Sequence, residues 1–255
     1  MKIVRQEKKD KNTFLFGIRA VLEAVTAGKE LDKVYIQKGL KSELFHELQR
    51  TLNEYKIPFQ FVPGEKINKV AGYRNHQGVA ATISGVTYQH IENILPAIFE
   101  DGKVPLILIL DRITDVRNFG AICRSAECLG VHAVLITSRG AAQVNADAVK
   151  TSAGALHKIP VCRSENLKTT IDFLKESGLQ IVSCTEKTEK NSTETDFSLP
   201  TAIILGSEED GISEEYLKRS DVMVKIPLLG EISSLNVSVA AGIILYEAQR
   251  QRQGN

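Results

Sequence analysis

The sequence predicts an α/β protein. Its larger C-terminal part is read as an open parallel sheet, and its smaller N-terminal part as a separate α/β unit. Three observations carry this expectation. After residue 104 continuous apolar runs recur, LILIL (106–110), AVLIT (133–137), IVSCT (181–185) and AIILG (202–206). Strands buried on both faces read this way, whereas half-exposed strands alternate. Between the runs lie helical patterns, FGAICRSAECLG (119–130), NLKTTIDFLKESG (166–178), ISEEYLKRS (212–220) and the final NVSVAAGIILYEAQRQR (236–252). Strand and helix in alternation build parallel sheets, and ligands in such sheets sit beyond the carboxyl ends of the strands. Before residue 86 the segments are shorter and of mixed character.

In that first part, FLFGIRAVLEAVTA (14–27) spaces apolar residues as a helix does, and Gly28 can end it. KVYIQ (33–37), FQFVP (59–63) and GVAATIS (78–84) read as strands, and SELFHELQRTLNEY (42–55) as a helix capped by Ser42. Residues 86–103 read as a connector holding one amphipathic stretch, HIENILPAIFE, interrupted by Pro96. The expected organisation is a basic tail over 1–12, a small domain over 13–85, a linker over 86–103 and the sheet domain over 104–255.

Composition narrows the function classes. The 255 residues are 43% hydrophobic and 25% charged, the balance of a globular domain. No apolar run is long enough to span a membrane, and MKIVRQEKKDKN lacks the apolar stretch of a secretory signal, so a cytoplasmic protein without a membrane partner is expected. Cys123, Cys128, Cys162 and Cys184 form no C-x-x-C pair, so no metal site is expected. Net charge is only +1, but residues 1–85 carry 15 Lys and Arg against 9 Asp and Glu, whereas the remainder carries 17 against 22. A basic module ahead of an acidic one suits a polyanionic partner, with a merely solvated surface as the plainer reading.

Three segments follow strands and carry polar groups. In DRITDVRNFGAICRSAECLG (111–130), Asn118 can cap a helix and Gly120 permits close backbone approach. Arg124 can meet an anion, or pair with Glu127 on the surface. In LGSEEDGIS (205–213) a strand ends at Gly206 and an acidic cluster follows, open to a cation or a sugar hydroxyl, or simply to the positive end of a helix. In IPLLGEISSLNVSVAAGIILYEA (226–248), Ser234 and Asn236 stand at a helix start as caps or as site residues. The small residues Ser238, Ala240, Ala241 and Gly242 allow another element, including one across a dimer, to pack closely. The chain has neither G-x-x-x-x-G-K-[ST] nor G-x-G-x-x-G, which disfavours nucleotide hydrolysis and ordinary dinucleotide binding.

Taken in order, N-F-G-A-I-C-R, L-G-S-E-E-D-G-I and I-P-L-L-G-E-I-S-S-L-N-V-S-V-A-A-G resemble the three motifs of the SpoU/TrmH-type RNA ribose 2′-O-methyltransferases of the SPOUT superfamily. FGIRAVLEAV (16–25) and HQGVAATIS (76–84) resemble that family's ribosomal-protein-like α/β substrate-binding domain, an arrangement similar to the 23S rRNA guanosine 2′-O-methyltransferases. The resemblance implies a C-terminal α/β domain with a trefoil knot, S-adenosylmethionine as methyl donor and a homodimer formed through that domain. It places Asn118, Arg124, Glu208, Ser234 and Asn236 at polar active-site positions. Gly206, Ile226, Leu228, Ser234 and Leu235 fall at cofactor positions. RNA, with 23S rRNA favoured and tRNA as the alternative, would be met by the basic N-terminal module, where Arg19, Tyr73, Arg74, Asn75 and His76 are candidate contacts, each with an ordinary surface or turn residue as its plainer reading. The rival of another class is a non-catalytic RNA-binding or ribosome-assembly protein.

Overall fold

The structure, a computed structural model, describes residues 14–253; the basic tail expected over 1–12 lies outside the described residues. The chain divides into two compact units, one holding the residues up to Gly85 with Gln143–Ala146, the other the remainder.

The first unit contains β1 (Phe14–Phe16), α1 (Ile18–Thr26), β2 (Leu31–Gln37), α2 (Glu43–Glu54), β3 (Phe59–Val62), α3 (Gly64–Ala71) and β4 (Val79–Ile83). Its four-stranded sheet runs β1-β4-β2-β3, with β2 and β3 parallel and the other pairs antiparallel. The helix expected from residue 14 begins only at Ile18. Phe14–Phe16 instead pair with Ala80–Thr82, and Gly17 between them takes φ 92°, ψ 151°, which no helix can propagate through. At its other end α1 stops as expected. Gly28 is left-handed at φ 72°, and the amides of Gly28 and Lys29 return to the carbonyls of Val25 and Ala24, both at 2.9 Å. Ser42 caps α2 by accepting from the Phe45 amide at 3.1 Å. Val21, Val34, Ile36, Leu48 and Leu52 bury one face of the sheet under α1 and α2, while Ile67 of α3 joins Val62 and Ala80 on the other.

The second unit contains α4 (Ile91–Glu100), β5 (Leu106–Leu110), α5 (Val116–Cys128), β6 (Ala133–Thr137), α6 (Ala146–Thr151), β7 (Val161–Ser164), α7 (Leu167–Glu176), β8 (Gln180–Cys184), β9 (Thr201–Leu205), α8 (Glu214–Leu217), β10 (Val222–Val224) and α9 (Val237–Gln253). The six strands are all parallel in the order β10-β8-β9-β5-β6-β7, and β5 and β9 are buried along their whole length. Residues 86–103 are not a free connector, because α4 runs unbroken through Pro96. Ile91, Leu95 and Ile98 recur at one helical face and are buried in this unit's core, which outweighs the one backbone hydrogen bond that a proline forfeits.

Helix α9 lies on α5 through its small residues. Ala241 is fully buried, and a Cβ at Gly242 would sit 3.9 Å from Ser125 Oγ. The small stripe is therefore spent within the chain. A different face, Val239, Ile243 and Tyr246, is left exposed. Between β10 and α9 the chain turns back. Residues 226–236 leave the β10 edge of the sheet, pass the ends of β8 and β9, and start α9 beside α5. That path gathers three loops at the carboxyl ends of neighbouring strands, where an open parallel sheet places its ligands.

Candidate active site

The loop after β9 is braced by the end of β5. Asp111 is buried and accepts from both the amide and the hydroxyl of Ser213 at 2.7 Å. Arg112, held at φ 57°, donates to Asp111 Oδ1 (3.3 Å), Asp210 Oδ2 (2.8 Å) and the Gly211 carbonyl (3.1 Å). Within the loop Ser207 and Gly211 exchange backbone hydrogen bonds at 3.2 and 3.0 Å. The turn closes so tightly that a Cβ on Gly206 would lie 2.1 Å from the Gly211 carbonyl carbon and 2.2 Å from the Ile212 nitrogen. Neither Asp111 nor Arg112 stood out in the sequence as a site residue. Their partners lie about a hundred positions away, beyond the reach of spacing.

This loop presents Glu208 to α5 and α9. Its Oε1 accepts from Asn236 Nδ2 (2.7 Å), Asn118 Nδ2 (3.2 Å) and the Val237 amide (3.3 Å). Asn236 Nδ2 also donates to Asn118 Oδ1 at 3.1 Å, which closes the triangle. A carboxylate at the first turn of α9 is favoured by the helix dipole as well. Asn236 itself caps α9, its Oδ1 accepting from the Ser238 amide at 2.9 Å and the Ser238 hydroxyl at 2.5 Å. Asn118 does not cap α5. Asp115 does, accepting from the amides of Arg117 and Asn118 at 2.9 and 2.8 Å. A carboxylate three positions earlier takes the orphan amides, which frees the Asn118 side chain for Glu208.

Beside this cluster the loops after β8, β9 and β10 enclose a cavity of about 1110 Å³. Gly206, Ile226, Leu228, Ser234 and Leu235 line it, together with Thr185, Glu186, Lys187, Glu189 and Asn191 after β8, which no sequence motif singles out. From Ile226 to Leu235, no backbone amide or carbonyl is hydrogen-bonded within the described residues. The stretch is largely exposed, so these peptide groups are open to water and equally to a ligand. A wall of such groups beside a glycine turn suits a ligand held through its own hydrogen-bonding edge, as a nucleoside is. Cys184 also lines the cavity, but burial first, and the Glu186 charge second, push its thiol up to about 12. It stays protonated and is no nucleophile. Burial likewise pushes Cys162 up to about 12, and Cys123 is raised by complete burial. At pH 8, iodoacetamide is therefore expected to label exposed Cys128 first, with Cys123, Cys162 and Cys184 reacting only on denaturation, a result that peptide mapping reads directly.

Arg124 stands apart from this cluster. It is exposed on α5 and is not among the residues lining this cavity, and the surface pairing with Glu127 does not form, since the Glu127 carboxylate lies 3.6 Å from Lys158 instead. In the first unit Arg19, Arg74 and Asn75 are exposed, as phosphate or base contacts require. His76 is half-buried and both its ring nitrogens are engaged. Nδ1 accepts from the Gly78 amide at 3.0 Å, so Nε2 carries the proton shared with Asn68 Oδ1 at 2.7 Å. It acts as a strut for its loop.

Among the described residues no group of His, Cys, Asp or Glu side chains is placed to hold a metal ion, and no helix is long and apolar enough to cross a membrane.

Known proteins match both units. Residues 105–246 match the SpoU rRNA methylase family model, and residues 14–89 the model described as RNA 2′-O ribose methyltransferase substrate binding. A TrmH family tRNA/rRNA methyltransferase of Staphylococcus aureus is 36% identical over 243 residues, covering 94% of this chain and 97% of its own. The SpoU methyltransferase AviRb from Streptomyces viridochromogenes, solved with the cofactor AdoMet, superposes with a TM-score of 0.61 at 27% identity, over 95% of this chain and 91% of that one. A TrmH/SpoU tRNA modifying enzyme from A. aeolicus is 32% identical with a TM-score of 0.54, over 64% of this chain and 85% of its own. With the fold, the three-loop cavity and both family matches in agreement, this chain belongs to the SpoU/TrmH family of S-adenosylmethionine-dependent RNA 2′-O-ribose methyltransferases.

Proposed function

We propose that the chain methylates a ribose 2′-hydroxyl of ribosomal RNA, a guanosine of 23S rRNA being the target class its two-domain layout resembles, and that it works in the cytoplasm as a homodimer. One observation carries the choice of rRNA. The structural match to the tRNA modifying enzyme extends over 64% of this chain, about the length of the second unit, whereas this protein adds a whole substrate-binding unit before it. Transfer RNA stays as the second reading because the S. aureus relative is named for both substrates. Mapping of 2′-O-methyl sites in rRNA and tRNA from cells lacking the protein separates the two. Loss at a 23S guanosine is the expected outcome, and loss confined to tRNA would overturn it.

S-adenosylmethionine supplies a sulfonium methyl that is already electrophilic. Gly206, Ile226, Leu228, Ser234 and Leu235 would hold it, chiefly through backbone groups. The demanding partner is the 2′-hydroxyl, nearly neutral at pH 7. Its oxygen must bond the methyl carbon as the carbon–sulfur bond breaks, and its proton must leave. Holding oxygen in line can supply about 7–11 kcal/mol. The Asn118–Glu208–Asn236 triangle suits that task, since Asn236 is fully engaged and holds Glu208 in place while the Asn118 amide keeps one N–H and one lone pair beyond the triangle, and Ser234 stands on the neighbouring loop. Arg124 would stabilise the alkoxide that develops on the oxygen while an RNA phosphate takes the proton; a guanidinium gives up its proton too reluctantly to be a good base.

Glu208→Ala removes the shared acceptor of three donors. We expect a stability loss of about 1 kcal/mol in urea titrations, because water reaches the stranded amides. Methyl transfer should fall far more than stability, and transfer at the wild-type rate would exclude the triangle from catalysis. The dimer proposal rests on the exposed α9 face, where Val239, Ile243 and Tyr246 are 50%, 40% and 62% exposed at helical spacing.

A further inference from the structure

Three loops meet at one end of the N-terminal sheet. The amide of Gly17 donates to the Val79 carbonyl at 2.9 Å, and that of Gln37 to the Gly78 carbonyl at 2.8 Å. Gly78 approaches the next loop so closely that a Cβ there would lie 2.4 Å from Leu40 Cδ1. The segments joined in this way, 17–19, 38–42 and 72–78, carry Arg19, Lys38, Lys41 and Arg74, all exposed, and contain no Asp or Glu. None of these cations is ion-paired among the described residues.

Tyr73 stands among them. It is 79% exposed, yet its backbone is fixed at φ 61°, a left-handed conformation that a bulky residue adopts only under constraint. The constraint is visible. The Tyr73 amide donates to the Asn68 carbonyl at 2.8 Å, and the His76 strut ties the rest of the loop to Asn68 and Gly78. Next to it the Arg74 guanidinium lies over the Phe16 ring, 5.6 Å from its centroid. The ring buries almost nothing, so packing does not account for a constrained, outward-turned tyrosine. A partner with flat faces and repeated negative charge does.

We infer that this end of the unit binds single-stranded RNA, with an unpaired base stacked on Tyr73 and flanking phosphates held by Arg19, Lys38, Lys41 and Arg74. The inference rests on the RNA reading above and narrows it. Simple attraction to a polyanion needs no aromatic ring, and a duplex does not offer a base face to one.

The test is a fluorescence titration of the full chain with a short single-stranded RNA carrying one 2-aminopurine, with the same RNA as a duplex, and with polyglutamate as competitor. The wild type should bind the single strand in preference to the duplex and quench the fluorophore. Tyr73→Ala should weaken binding about tenfold and abolish the quench, and Tyr73→Phe, which keeps the ring face, should restore both. Arg74→Ala should lower the salt slope by about one. Circular dichroism and urea unfolding, measured on each variant, report that the first unit as well as the second is folded. Equal binding by wild type and Tyr73→Ala overturns the inference, as does polyglutamate competing as well as RNA does, which would mark charge alone or an acidic protein partner. A wild-type chain that methylates RNA beside an indifferent Tyr73→Ala refutes this inference alone. A wild type that neither binds nor methylates any RNA refutes the RNA reading itself.

Discussion

Arg124→Ala should lower single-turnover methyl transfer at least about a hundredfold, the loss seen when one preorganised donor to a developing oxyanion is removed. S-adenosylmethionine affinity should stay within about twofold by calorimetry, because Arg124 is not among the residues lining the cavity assigned to the cofactor. Stability should hold within about 0.5 kcal/mol, since the side chain is exposed and makes no ion pair among the described residues. The three readings together separate a role in the reaction from a role in the fold. Arg124→Lys sharpens the test. It keeps the charge but loses the planar fork that can span an alkoxide and a phosphate, so partial recovery is expected where orientation matters beside charge. Turnover at the wild-type rate in Arg124→Ala would remove this residue from the mechanism and leave the Asn118–Glu208–Asn236 triangle and Ser234 as the polar groups assigned to the reacting hydroxyl.

Much of the second unit was legible in the sequence because its strands are buried on both faces. LILIL became β5 and AIILG became β9, each without an exposed position. The strand order was not legible. Nothing in periodicity says that β9 lies between β5 and β8, or that β10 sits outside β8, because pairing is settled by contacts far apart in sequence. Short elements escaped for a local reason. Phe14–Phe16 is a three-residue strand whose apolar residues also fit the helical spacing that follows, and only Gly17 marks the break. VCRS, which forms β7, pairs a charged residue with a short run and lacks the uniform apolar signal of its neighbours. The site divides in the same way. Asn118, Glu208 and Asn236 could be singled out as motif residues, but their closure into one hydrogen-bonded triangle depends on a chain path that no spacing records. His76, a candidate RNA contact by its place in the basic module, gives both ring nitrogens to its own loop, a pairing that sequence spacing does not record.

Gly206→Ala should disable cofactor binding while leaving the first unit folded. A Cβ at this position would overlap the Gly211 carbonyl carbon at 2.1 Å, the Ile212 nitrogen at 2.2 Å and the Gly211 oxygen at 2.3 Å. All three are backbone atoms, so no side chain can swing aside to make room. The conflict is steric and not conformational, for Gly206 needs no left-handed φ. The loop must therefore open, and what opens with it can be named. The Ser207–Gly211 hydrogen bonds separate, the Arg112 donation to the Gly211 carbonyl is strained, and Glu208 is carried away from Asn118 and Asn236. Relief of an overpacked site costs about 1–3 kcal/mol. Spent on the loop that lines the cavity, this corresponds to S-adenosylmethionine binding weakened by about ten- to a hundredfold. The expected calorimetric result is a large rise in Kd for Gly206→Ala and a small one for Gly230→Ala, a glycine of the same cavity where an added Cβ meets nothing within 4 Å. Wild-type affinity in Gly206→Ala would mean that the cofactor does not depend on the turn after β9, and the assignment of this cavity would fail with it.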